Sequence, residues 1–143
     1  MVLAVWLGAI VATRVRAAAI SEASTEVVAL GLVLALAGIG VRQYAVAALG
    51  RYFTTRVMTT PDQHVVETGP YRYVRHPSYT GLLMTVLGMV LLCANWLSVG
   101  CFVIALPGIA YRIQVEEQAL SRALGDRYRD YMRRTKRLVP FVV

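Results

Sequence analysis

The chain has 143 residues, of which 57% are hydrophobic and only 16% charged, whereas a soluble domain carries about a quarter charged residues. Its 15 basic and 8 acidic residues leave a net charge of +7, which taken alone points to nucleic acid or an anionic surface. The basic residues sit between long uncharged stretches, which excludes a soluble nucleic-acid binder and indicates an all-α integral membrane protein, one membrane domain over residues 1–143.

Residues 1–20 read as a first, weaker span. This stretch has no basic n-region and no small-residue cleavage site, so the expectation is a retained anchor, with Arg14 and Arg16 snorkelling near its end. The connection 21–26 carries Glu22 and Glu26. Residues 27–50 form a second span, interrupted only by Arg42 and Gln43. Its Gly31, Ala35, Gly38, Gly40, Ala45 and Ala48 suit close helix packing in lipid. Residues 51–78 form a loop of net charge +2.

Residues 77–111, 35 in all, contain no charge. As one straight helix they would extend about 52 Å, against a bilayer core of about 30 Å. The expected solution is a hairpin of helices at 79–94 and 96–111, turning near Asn95 and Trp96, with Pro107 and Gly108 loosening the second helix. The total is about four transmembrane helices. Residues 112–143 form a helical tail of net charge +4, with a stop at Gly125 and a second short helix from about Asp126 to Lys136. The positive-inside rule puts the loop and the tail on the cytoplasmic face. Cys93 and Cys101 lack metal-ligand spacing and read as small buried hydrophobes, and no metal site is expected.

Three polar groups stand out. The segment Gly69-Pro70-Tyr71-Arg72-Tyr73-Val74-Arg75-His76-Pro77-Ser78-Tyr79-Thr80-Gly81 precedes and opens the hairpin. Its structural reading is a juxtamembrane anchor, with Pro77 starting a helix. Its functional reading is convergence of Arg75, His76 and Tyr79 at a helix N-terminus, where anions bind. The second group is Arg112, Glu116 and Glu117, which could simply pair along a helix. It lies at the other end of the same hairpin and should face the first. Two carboxylates opposite Arg and His beside lipid suit a zwitterionic ligand carrying a diol. The third is Arg42, a charge within a span that needs a partner. His64 reads as an exposed loop residue.

The pattern Gly69-Pro70-Tyr71-Arg72, Arg75-His76-Pro77-Ser78-Tyr79-Thr80-Gly81, then Glu116-Glu117, Leu124-Gly125, Tyr128, Tyr131 and Pro140 resembles the isoprenylcysteine carboxyl methyltransferase family, related to membrane phospholipid methyltransferases. The resemblance covers roughly residues 31–141 and implies S-adenosylmethionine as cofactor, held by the cytosolic loop, the hairpin ends and the tail. Carried over by motif, Tyr71, His76, Pro77, Tyr79, Gly81, Glu116, Glu117, Tyr128, Tyr131 and Pro140 are expected to bind it. Arg75 and the two glutamates are expected at the reacting centre, with Arg42 and Arg75 toward the substrate.

The implied reaction is methyl transfer to a lipophilic carboxylate or lipid amine. A carboxylate is ionised at neutral pH and needs no general base, so positioning and exclusion of water are what the protein supplies. The chain is shorter than the eukaryotic enzymes, so a small lipophilic acid or amine is as good an acceptor as a prenylated protein. Membrane sterol and steroid reductases share the Arg-His-Pro-x-Tyr-x-Gly segment, which makes an NADPH-dependent reductase one alternative. A non-catalytic membrane binding protein is the other.

Overall fold

The computed structural model describes Ile20, residues 24–50 and residues 65–139. Residues 1–19 of the first expected span, with Arg14 and Arg16, and also His64 and Pro140, lie outside the described residues. The elements are helix α1 (Thr25–Leu49), a 3-10 turn (Gly69–Arg72), helix α2 (Pro77–Cys93), helix α3 (Trp96–Leu124) and helix α4 (Asp126–Arg134). Among the described residues there is no strand beyond isolated pairing such as the parallel bridge between Val74 and Lys136.

Local chemistry sets the helix ends. α1 begins two residues before the expected 27, because Ser24 accepts at its start: its Oγ faces the Val27 N–H at 3.4 Å and its carbonyl takes the Val28 N–H. α2 starts at Pro77, the residue expected to open a helix and two residues before the hairpin bound of 79, because proline lacks the N–H that a first helical turn cannot use. The hairpin turns at Ala94 and Asn95. Ala94 takes a left-handed φ of 43°, and the Asn95 Oδ1 accepts the Leu97 N–H at 2.9 Å, capping α3.

α3 is continuous for 29 residues, through Pro107 and past the expected limit at 111. A bilayer-length helix tolerates an internal proline, because local adjustment satisfies the freed carbonyl. α3 stops at Gly125, whose φ of 59° turns the chain directly into α4.

α1 and α3 are long and apolar enough to cross a membrane, and α2 is a shorter apolar helix. Only 17% of the most apolar stretch of α1, and of α3, is buried, so neither resembles the core helix of a soluble protein. α3 has no charge before Arg112 and then carries Arg112, Glu116 and Glu117 within six residues, so its apolar part ends before Glu117.

The chain divides into two compact units. One comprises residues 1–39 and 81–109. Within it α1 and α2 approach backbone to backbone: a Cβ on Gly88 would lie 2.5 Å from the Ala35 nitrogen and the Gly31 oxygen, and one on Gly38 would lie 2.5 Å from the Thr85 nitrogen. Gly31, Ala35 and Gly38 thus pack as their size allows, whereas Gly40 has nothing within 4 Å. The other unit comprises residues 40–80 and 110–143 and holds most of the polar residues singled out above.

Candidate active site

The segment before α2 folds tightly. Gly69 adopts φ 59°, against Tyr44 and Ala48 of α1, and the turn that follows is closed by the Tyr73 and Val74 N–H groups donating to the Pro70 carbonyl. The chain then extends through Val74 and Arg75. The His76 carbonyl accepts the Tyr79 and Thr80 N–H groups at the start of α2. His76 and Pro77 are buried.

Glu116 and Glu117 are adjacent on α3 and so point about 100° apart. Glu117 turns inward and is buried. Its Oε1 accepts the Arg75 Nε at 2.9 Å and lies 3.4 Å from the His76 Nε2, while its Oε2 pairs with the Arg137 Nη2 at 3.0 Å. Burial alone would raise this carboxyl. The hydrogen bonds from His76, Arg75 and Arg137 outweigh it and bring the pKa down from 4.5 to about 2. Glu116 turns to the other side, where its Oε2 accepts the Tyr79 hydroxyl at 3.1 Å. That hydroxyl in turn accepts the Arg112 Nε at 2.8 Å. Tyr79 therefore links Arg112 and Glu116, two residues that their spacing alone would have joined directly along the helix. The His76 and Tyr79 rings meet edge to face, 5.8 Å between centroids.

The tail closes the back of this cluster. Arg75 directs Nη1 to the Met132 carbonyl at 2.9 Å and to the Thr135 carbonyl, so one guanidinium joins α2's entrance, α3 and the end of α4. The Tyr131 hydroxyl donates to the Tyr71 carbonyl at 2.7 Å. Tyr71, Tyr128 and Tyr131 are all buried. Burial first, then the Glu116 charge, pushes the Tyr71 phenol up to about 12. Burial raises Tyr128 and Tyr131 further, Glu117 adding to the effect at Tyr128 and Tyr71 at Tyr131. All three remain neutral across the physiological range.

Arg42 of α1 directs Nη1 to the Ser78 carbonyl and hydroxyl, each at 3.3 Å. A charge inside an apolar helix thereby gains acceptors at the start of α2. Arg42, Tyr71, Arg75, His76, Pro77, Tyr79, Glu116, Glu117, Tyr128 and Tyr131 all lie within the unit formed by residues 40–80 and 110–143. Gly81 belongs to the other unit, where its carbonyl accepts the Thr85 hydroxyl at 2.8 Å.

Two further members are Arg137, which has no spacing signal, and Thr80, which stands in the motif without a legible role there. Their partners are Glu117 and the Leu138 carbonyl, the latter 2.6 Å from the Thr80 hydroxyl. Pairings across twenty or more residues appear only on folding. Among the described residues no three His, Cys, Asp or Glu side chains group as metal ligands.

The sequence model of the isoprenylcysteine carboxyl methyltransferase (ICMT) family matches residues 29–122. Protein-S-isoprenylcysteine O-methyltransferase A of Arabidopsis thaliana is 35% identical over 115 residues, covering 78% of this chain and 58% of that protein. The Saccharomyces cerevisiae protein-S-isoprenylcysteine O-methyltransferase is 34% identical over 116 residues, 79% of this chain and 48% of its own. The solved structure of a eukaryotic intramembrane Ras methyltransferase, ICMT, superposes with a TM-score of 0.80 at 26% identity, covering 98% of this chain and 50% of that one. The chain thus spans about half the length of the relatives it matches. With its all-helical fold and its apolar helices, it belongs to the ICMT family of integral membrane proteins.

Proposed function

We propose that the chain is an S-adenosylmethionine-dependent methyltransferase acting on a lipophilic carboxylate, of the isoprenylcysteine type, at the cytoplasmic face of a membrane. One observation carries this reading: the fold joins the two ends of the uncharged stretch 77–111. Tyr79 bonds Glu116 and Arg112, and Arg75 and His76 meet Glu117. Polar groups able to hold a charged cofactor thus converge at the point where the chain turns apolar. The relatives are isoprenylcysteine O-methyltransferases by name, which supports the substrate class. The basic loop and tail support the cytoplasmic side.

The donor set fits the cofactor. It is a zwitterion with a diol and a sulfonium. Glu116 offers a carboxylate to the diol or the positive end, Arg112 a guanidinium to the negative end, and His76, Tyr79 and the buried Tyr71, Tyr128 and Tyr131 give aromatic walls. Of the two glutamates, Glu117 is neutralised by three donors and fills a framework role, which leaves Glu116 toward the ligand. When bound, the sulfonium supplies an electrophilic methyl group, so the chain needs no nucleophile of its own. Arg75, held by Glu117 and two carbonyls, and Arg42, anchored on Ser78, are the cations this reading assigns to the incoming carboxylate. The buried tyrosines keep water out.

Two measurements test the proposal on detergent-purified protein. S-adenosylhomocysteine should bind in titration calorimetry, and radiolabelled methyl should pass to an S-prenylated N-acylcysteine. Absence of S-adenosylhomocysteine binding by folded protein sinks the reading.

A further inference from the structure

The chain beyond α4 runs back along the entrance of α2. The Lys136 carbonyl accepts the Arg75 N–H at 2.8 Å, the Arg137 carbonyl accepts the His76 N–H at 3.0 Å, and the Lys136 N–H reaches the Tyr73 carbonyl at 3.4 Å. Val74 and Lys136 form the parallel bridge at the centre of this pairing, and the Leu138 carbonyl takes the Thr80 hydroxyl. Residues 135–138 therefore lie as a strap along residues 73–76. The strap has little apolar hold: Lys136 and Arg137 are exposed and Leu138 is only half-buried. Main-chain bonds this short in number are marginal without a side-chain anchor.

Arg137 is that anchor. Two of its nitrogens, Nη2 at 3.0 Å and Nε at 3.1 Å, grip Oε2 of Glu117, whose side chain is only 8% exposed while that of Arg137 is 47% exposed. A guanidinium reaching from the surface to a buried carboxylate makes a forked, charge-assisted contact that lysine cannot reproduce. The buried carboxylate already has Arg75 as a charged partner and the His76 ring within hydrogen-bond distance. Loss of Arg137 thus frees the strap without leaving a lone buried charge.

We propose that Arg137 is a positioning residue: its pair with Glu117 holds residues 135–138 against residues 73–76, and so sets the affinity of the neighbouring site for its nucleoside cofactor. The ligand in this statement rests on the methyltransferase reading, whereas the strap contact stands independently of it. The strap bears on that site because it bonds the backbone of Arg75 and His76 and the Thr80 side chain, which flank Tyr79.

The test uses the full chain in lipid nanodiscs, with Arg137→Ala and Arg137→Lys beside the wild type. Hydrogen exchange of the peptide containing the Arg75 and His76 amides should speed up about tenfold in Arg137→Ala, the size expected for one charge-assisted contact, with partial recovery in Arg137→Lys. The KM for S-adenosylmethionine should rise by about the same factor, the loss falling on KM rather than kcat. A merely structural role would lower the active fraction and leave KM where it was. Unchanged exchange in Arg137→Ala overturns the strap contact, and a loss confined to kcat overturns the role in cofactor affinity. Wild-type protein that binds no S-adenosylhomocysteine would defeat the methyltransferase reading and the cofactor role with it, while exchange would still decide the strap.

Discussion

The Arg75 Nε stands 2.9 Å from Oε1 of Glu117, and their side chains are only 9% and 8% exposed. The same guanidinium serves the Met132 and Thr135 carbonyls, so its shape matters as much as its charge. Arg75→Ala should destabilise the protein by about 3 kcal/mol, the usual scale for breaking a buried pair from one side. Arg75→Lys keeps the charge but cannot reach all three acceptors, and should still lose about 1–2 kcal/mol. Thermal unfolding in detergent would measure both, and a lysine variant melting with the wild type would show that the fork is dispensable.

Glu117 also sets a pH dependence. Its folded carboxyl titrates near 2 against an ordinary 4.5. Between those values the unfolded chain binds a proton that the folded one does not, so stability is fully present above about 4.5 and falls as pH drops toward 2. Melting temperature followed from pH 7 downward should show this decline, and Glu117→Gln should remove this group's share of it. A Glu117→Gln profile parallel to the wild type would place the acid sensitivity elsewhere.

Tyr79 bridges Arg112 and Glu116 through one hydroxyl. Tyr79→Phe keeps the ring against His76 and removes only that bridge. The variant should fold normally and lose about tenfold in kcat/KM, the worth of one charge-assisted hydrogen bond. Wild-type kcat/KM in Tyr79→Phe would separate this relay from the chemistry.

The contact of α1 with α2 gives a paired test. A Cβ on Gly38 meets Thr85 backbone at 2.5 Å and the Gly81 oxygen at 2.7 Å, neither able to move aside easily. Gly38→Ala should destabilise by about 1–3 kcal/mol through overpacking. Gly40→Ala, two residues away, enters open space and should be neutral or stabilise by up to about 1 kcal/mol through helix propensity. Comparable melting of the two variants would argue against close helix contact at Gly38.

Much of this protein is legible without coordinates. Uncharged length against bilayer thickness indicates two apolar helices in residues 77–111 with a turn at Asn95, because lipid admits no exposed backbone and few charges. Proline at Pro77 and glycine at Gly125 mark where helices begin and end, since their backbone preferences are local. The two polar clusters are also visible, because spacing puts them at opposite ends of one hairpin.

The division of labour within those clusters belongs to the tertiary structure. Glu116 and Glu117 are identical in chemistry and adjacent in sequence. Only the orientation of α3 sends one to Tyr79 and buries the other among Arg75, His76 and Arg137. Arg137 carries no motif, and Thr80 stands within one without a legible role, because their partners, a buried side chain and a backbone carbonyl, are brought near only by the return of the tail. Local patterning determines which segments are apolar, helical or turned. Which polar groups meet depends on long-range docking, which leaves no period in the sequence.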